Sequence, residues 1–500
     1  MPLSVDDYEA RDATGLAALV AQGAVSPAEL VDLAIARIEA SEPRLGGLME
    51  RDYDRARAAT RTLPAGDAPF RGVPFLVKDN IHVVAGLPYH NGSRIWRGRV
   101  AEADSTLVAR FRAAGLIVLG TTKVPELSLL PTSENRAFGT VDNPVAPGFT
   151  AGGSSSGSAA HVGARSVPMA HGTDGAGSIR IPASCCGLYG LKPTRARTPD
   201  GPVIGEGWHG AAVGHVLTRS VRDSARLLDA VHGPDTGAPH AVLPPARPFA
   251  EALLESLSGP PPRLRVAVST TAPNGAPVDP ACREAALATA RLCADLGHAV
   301  EEATPPAPPW LFEAIVTMIL AATAQEFAFA AEATGAPARR GETEDATFLT
   351  ARLGRTLSAA DLSVALERLQ RVGRTVAPFF ERFDVLITPT LARPPVRHGA
   401  LAPTGSEALA HKLALRMPLG PVLRFSSLVE EAAERTFAFM PFTPLWNVTG
   451  QPAASLPMHR TPEGLPVGVQ LVGRFGDEAT VLSLSAALER ARPWTFGAAT

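Results

Sequence analysis

Two serines and one lysine carry the chemistry legible in this chain. Ser178 lies within HGTDGAGSIRIP (residues 171–182), where Gly175, Ala176 and Gly177 allow a tight bend just before it. Such a bend turns consecutive backbone N–H groups toward one point, which is what a developing oxyanion needs. A serine at that place meets an attacked carbonyl beside its donors. Ser154 precedes it by 24 residues, within AGGSSSGSAA (residues 151–160). That segment lacks the Gly-Lys-Ser/Thr ending of a phosphate loop and the spacing of a dinucleotide fingerprint, so alone it reads as a Gly/Ser turn.

A serine nucleophile needs a base. None of the 12 histidines stands in a motif aimed at Ser178, and His171 reads as a helix or strand residue beside the turn. Lys78, in GVPFLVKDN (residues 72–80), ends the apolar run Phe75, Leu76 and Val77. Desolvation there favours a neutral amine, which can accept a serine proton. Ser154 would then relay a proton between Ser178 and Lys78. Of 47 basic residues only Lys78, Lys123, Lys192 and Lys412 are lysine, and an ammonium can lose its proton when buried whereas a guanidinium cannot. Asp79 and Asn80 read as turn and hydrogen-bonding residues, and Glu126 as structural.

Each residue alone is more often a turn former or a solvated charge; their conjunction reverses that. GVPFLVKDN, GGSSSGSAA and GTDGAGSIRIPASCCGLYGLKPT together resemble the amidase signature family of Ser–cisSer–Lys hydrolases. The similarity includes TSENRAFGTVDNP (132–144), FDVLITPT (383–390) and FTPLWNVTGQPAASLP (442–457). The resemblance implies Lys78 as base, Ser154 as bridging serine after a cis peptide, and Ser178 as nucleophile. The oxyanion donors would be the backbone N–H groups of Gly175, Ala176, Gly177 and Ser178, with Asp174, Arg180 and Ser155 in supporting places. It further implies an acyl-Ser178 intermediate resolved by water, with no metal and no organic cofactor.

Two positions depart from the family's usual reading. Ser156 stands where a glycine is common, and Ala176 brings a methyl group to the oxyanion turn. The D-x-A-G-S form and NVTGQPAASLP are similar to the 6-aminohexanoate-cyclic-dimer hydrolase branch, which suggests secondary amides or oligoamides; anilides and carbamates suit the same machinery. The alternative is a glutaminase-type subunit of a tRNA-dependent amidotransferase. That subunit usually carries Gln after the motif arginine, where this chain has Ile181. A catalytically dead binding module is a third reading, opposed by the presence of all three catalytic residues.

The elements that must position these residues alternate. Residues 73–77, 116–120, 264–269, 383–388 and 466–472 read as strands, and residues 105–114, 280–296 and 477–490 as helices. This predicts an α/β fold, a single large domain with a central mixed β-sheet covered by helices on both faces. Near the start, Asp12 caps a helix to Gln22. Ser26, Pro27 and Glu29 open another to about Ala40, with Leu30, Leu33, Ala34 and Ile38 on its buried face. One domain over 1–500 divides into a helical segment (1–65), a catalytic core (72–232), a surface linker (233–262), a substrate-shaping region (263–445) and a return to the core (446–500). Residues 310–329 and 437–446 are the expected walls that choose the substrate.

Composition narrows the remaining classes. A formal net charge of −2 offers no global field for nucleic acid or an anionic membrane. The best apolar run, residues 314–324, is too short to span a bilayer, and the start of the chain lacks an apolar run suited to a secretory signal. A cytoplasmic enzyme acting on a small amide and water is expected, with a homodimer as the default assembly. Cys185, Cys186, Cys282 and Cys293 are expected to be buried thiols.

Overall fold

The apolar runs of the sequence become the strands of one eleven-stranded sheet. The computed structural model describes residues 3–63, 66–259, 262–415 and 427–494. The strands are β1 (Leu48–Arg51), β2 (Pro74–Lys78), β3 (Ile117–Thr122), β4 (Met169–Asp174), β5 (Tyr189–Lys192), β6 (Val213–Thr218), β7 (Arg265–Val268), β8 (Ala299–Glu302), β9 (Val385–Pro389), β10 (Ala453–Arg460) and β11 (Pro466–Gly473). Their order across the sheet is β1-β3-β2-β4-β6-β5-β10-β11-β9-β7-β8. β2 runs parallel to β3 and β4, whereas β4 is antiparallel to β6 and β10 to β11, so the sheet is mixed. β2, β3, β4 and β6 are buried along their whole length, as expected of strands covered on both faces.

Two helices near the start of the chain begin where their caps predict. Asp12 accepts the N–H of Gly15 at 2.9 Å. Ser26 and Glu29 form a capping box for the helix Pro27–Leu45. That helix runs past residue 40 because Leu45 is itself buried, and it stops at Gly46, whose φ of 60° is the left-handed conformation glycine allows. Val31 and Ile35 join Leu30, Ala34 and Ile38 in the core, while Leu33 is only partly buried. All four cysteines are buried free thiols, and burial pushes each thiol upward.

The stretch expected to be a surface linker contains the helix Phe249–Ser258, which buries Phe249, Ala252 and Leu253. Its first N–H groups are capped from a distance. Asp229 accepts from Phe249 N at 2.6 Å and from Ala250 N at 2.9 Å. A cap supplied by another element leaves no local signature, which is why Pro and Ala content alone suggested a linker. The substrate-shaping region likewise does more than shape a pocket, since β7, β8 and β9 complete one side of the sheet.

Candidate active site

Lys78 is the last residue of β2, and its side chain is fully buried. Its Nζ donates to Ser154 Oγ at 2.7 Å and to Thr173 Oγ1 at 2.7 Å. Its backbone N–H donates to His171 Nδ1 at 3.2 Å. Burial pushes the amine down to about 7, against the opposing pull of the Asp174 carboxylate. A large share of the side chain is therefore uncharged near neutral pH. Thr173, next to last in β4, had no signal in the sequence beyond its place just before the glycine turn.

Ser154 follows a cis peptide from Gly153. A Cβ at Gly153 would run into the carbonyl oxygens of Leu130 and Thr132, and Gly152 has φ 77°, so this approach to the serine requires glycine. Ser155 fastens the strand and the two serine segments together. Its N–H donates to Ser178 O at 3.3 Å, and its Oγ lies 3.3 Å from both Thr173 O and Thr173 N. Ser156 starts the helix Ser156–Gly163 and donates from Oγ to Lys123 O at 3.3 Å, away from the lysine–serine pair.

The turn before Ser178 is built around Asp174 and Arg180, an ion pair at 2.8 Å with neither side chain exposed. Burial alone would raise the Asp174 carboxyl; the Arg180 guanidinium holds it well below the usual carboxylate range. Asp174 Oδ1 accepts the N–H of Gly177 at 2.7 Å, and Oδ2 accepts those of Ile179 and Arg180 at 3.2 and 3.3 Å. This differs from four consecutive free donors. Gly177 N–H is committed to Asp174, while Gly175, Ala176 and Ser178 donate to no protein group among the described residues. Asn447 and Gln470, which the sequence did not single out, close the network. Asn447 Nδ2 donates to Asp174 O at 2.8 Å and Oδ1 at 2.9 Å, and Arg180 donates to Asn447 Oδ1 and Gln470 Oε1, both at 2.6 Å.

Among the described residues no hydrogen bond joins Ser178 Oγ to Ser154 Oγ, but both serines line one cavity of about 290 Å3. The Amidase family profile matches residues 29–482. AmiC of Mycobacterium leprae (strain TN) is 38% identical over 499 residues, covering 97% of this chain and 95% of that protein. The chain belongs to the amidase family. A solved 6-aminohexanoate cyclic dimer hydrolase, complexed with its substrate, superposes with a TM-score of 0.87 at 34% identity and 98% coverage of both chains. A bacterial aryl acylamidase of the amidase signature enzymes gives a TM-score of 0.82 at 28% identity, covering 97% of this chain and 96% of the other. The protein is a hydrolase of amide C–N bonds.

In this amidase the cavity walls come from four places. Asn80 and Ile81 follow Lys78; Asn91, Leu127 and Ser128 face them; residues 203–208 and Ala212 form a third side; and Ala322, Gln325, Glu326 and Phe329 come from the helix Leu311–Thr334. The expected wall at 310–329 is thus present, whereas residues 437–446 do not line this cavity. They act behind it, with Thr443 Oγ1 donating to Ala176 O at 2.7 Å. Asn91, Leu127, Ser128 and Trp208 all line the cavity with φ between 45° and 58°, a conformation that costs non-glycine residues on the order of 1–3 kcal/mol each. Asn80 holds two of them, donating from Nδ2 to Asn91 Oδ1 at 3.0 Å and to Ser128 Oγ at 2.5 Å. Asp79 accepts His90 N at 3.1 Å, and Glu126 accepts Ser93 Oγ at 2.8 Å and Glu344 N at 2.7 Å, both structural roles.

Lys192 is also buried. It donates to Pro193 O at 2.8 Å and is not among the residues lining the cavity. The side chain of Lys412 lies outside the described residues.

Proposed function

We propose that this amidase hydrolyses secondary carboxamides through an acyl-Ser178 intermediate, with Lys78 as general base acting through Ser154. The observation that carries the reading is the 2.7 Å contact between Ser154 Oγ and a buried Lys78 Nζ whose charged form burial disfavours. The mechanism requires the Ser178 hydroxyl, which lines the same cavity, to reach Ser154. Ser178 Oγ then bonds to the carbonyl carbon while its proton passes to Ser154 and the Ser154 proton to Lys78. The carbonyl oxygen becomes an oxyanion beside the uncommitted N–H groups of the turn, with Ala176 and Ser178 the nearest candidates in sequence. Collapse breaks the C–N bond, and the departing amine regains the proton from Lys78 through Ser154. Water repeats the sequence on the ester and releases the acid. The reaction needs an amide and water, with no metal, organic cofactor, nucleic acid or membrane.

The secondary-amide preference is supported by the similarity to a 6-aminohexanoate cyclic dimer hydrolase and an aryl acylamidase. A glutaminase-type subunit is not favoured. The residue after Arg180 is Ile181, which packs in the core at 1% exposure and offers no amide group there. The test is turnover of an anilide, a dialkyl amide and a primary amide by the purified chain, with Ser178→Ala and sulfonyl fluoride labelling as controls. Labelling of the wild type alone and loss of turnover in the variant are expected; near-normal turnover in Ser178→Ala overturns the mechanism.

A further inference from the structure

The cavity beside the two serines carries ionisable side chains of one sign. Among its lining residues these are Glu206 and Glu326, with no Lys, Arg or His. The two carboxylates are placed differently. Glu206 is engaged: His240 Nε2 lies 3.3 Å from its Oε1, and it acts on Arg195. Glu326 is held inside. Its Oε2 is shut off from bulk solvent, and the donors within reach of the carboxyl are the side chains of Asn91 and Trp96, with no cation among the cavity lining. Burial pushes that carboxyl up to about 7.

Helical geometry sets its aim. Ala322, Gln325, Glu326 and Phe329 recur at spacings of three and four on the helix Leu311–Thr334, so one face of the helix fronts the cavity. Ile81, Leu127, Val203, Ile204, Trp208 and Phe329 supply apolar wall around it. A buried carboxyl that no cation pairs among the described residues gains from a further donor brought by a ligand. The same group repels a carboxylate placed nearby.

We propose that Glu326 is a specificity residue that receives a second N–H group of the substrate, an ammonium or another amide remote from the scissile bond. This rests on the amide-hydrolase reading and deepens it. The favoured substrates are amides whose carbon chain, on the acyl or the amine side, ends in a nitrogen donor. Those ending in a carboxylate are disfavoured.

The experiment compares kcat/KM for dialkyl amides of equal length whose acyl chain ends in methyl, ammonium, acetamido or carboxylate, and for the same four endings on the amine chain. At least one nitrogen-ended substrate is expected to exceed its methyl-ended counterpart by about tenfold, the scale of one charge-assisted hydrogen bond. The carboxylate-ended one is expected to fall below it. The ammonium and acetamido arms separate the two sources of the N–H donor. Glu326→Gln should pull the nitrogen-to-methyl ratio toward one and raise the carboxylate-to-methyl ratio, and Glu326→Ala should do the same. The ratio is taken within each enzyme, so a general loss of activity cancels. Glu206→Gln should leave the ratio within about twofold, as expected of a carboxylate already engaged by His240. Equal rates for all endings in the wild type, or an unchanged ratio in both Glu326 variants, overturns the proposal while leaving amide hydrolysis intact. Failure to turn over any of the substrates instead overturns the functional reading beneath it.

Discussion

Asn447 Nδ2 lies 2.8 Å from the main-chain oxygen of Asp174 and 2.9 Å from its carboxylate, so one amide from a late helix fixes both the strand end and the charge at the turn. The same Asp174 binds Arg180, which in turn reaches Gln470. The turn bearing Ser178 is therefore held from behind by a buried polar network. Its cost if broken is large, because each remaining partner would be buried without a counterpart.

Removing the cation from this network should destabilise the fold as well as the site. Arg180→Ala strands Asp174 as an unpaired buried carboxylate, and a loss of about 3–5 kcal/mol is expected. Chemical denaturation followed by circular dichroism measures it. Arg180→Lys should recover only part, since an ammonium cannot span Asp174, Asn447 and Gln470 at once.

The amine at residue 78 must be able to lose a proton. Lys78→Arg keeps the charge but cannot act as a base, and kcat/KM for an anilide should fall by at least about 10²–10⁴-fold. A rate within tenfold of wild type would remove Lys78 from the role of base.

The pH dependence has a definite sign. Below about 7 Lys78 is an ammonium and cannot accept the Ser154 proton; above it the free amine can. Activity should therefore rise with pH along a one-proton limb centred near 7. The Glu326 carboxyl is pushed to a similar value, so the limb should be measured in Glu326→Gln as well, where it is expected to persist. The same depression below the ordinary 10.5 means that the unfolded chain binds more protons between about 7 and 10.5. The stability contribution of Lys78 rises with pH through that window, and its burial penalty is fully present below about 7.

Gly177 tests the geometry of the turn. Its φ is 131°, and a Cβ there would collide with Thr443 Oγ1 and come within 2.8 Å of Ile181 Cδ1. Gly177→Ala should displace the oxyanion donors and lower kcat by about 10²–10³-fold, the loss typical of one missing donor. Stopped-flow or steady-state hydrolysis of an activated anilide measures it. Ala176→Gly, which removes a methyl group without such a conflict, should be much milder.

The chemistry was legible in the chain wherever it depended on neighbours in sequence. Gly175, Ala176 and Gly177 mark a tight bend just before Ser178, Asp174 and Arg180 flank that bend six residues apart, and Lys78 ends a strand whose apolar run is continuous. Those local features singled out Lys78, Ser154 and Ser178 as candidates, and the resemblance to the amidase signature family supplied their roles and the bracing places of Asp174 and Arg180. The helix Phe249–Ser258 was not legible, because its cap is Asp229 and belongs to another element. The commitment of Gly177 N–H to Asp174 was equally hidden, since spacing cannot distinguish a donor aimed at substrate from one aimed back at a side chain.

What remained for the tertiary structure is everything that depends on burial and on distant partners. Thr173 meets Lys78 only because β2 and β4 lie side by side, and Gln470 meets Arg180 across 290 residues of chain. The depressed Lys78 amine and the raised Glu326 carboxyl are properties of the dielectric around them, which sheet and helices create only once they have packed. Residue order determines which groups are available and how the backbone can turn. The field those groups feel, and the cavity they share, exist only in the folded molecule.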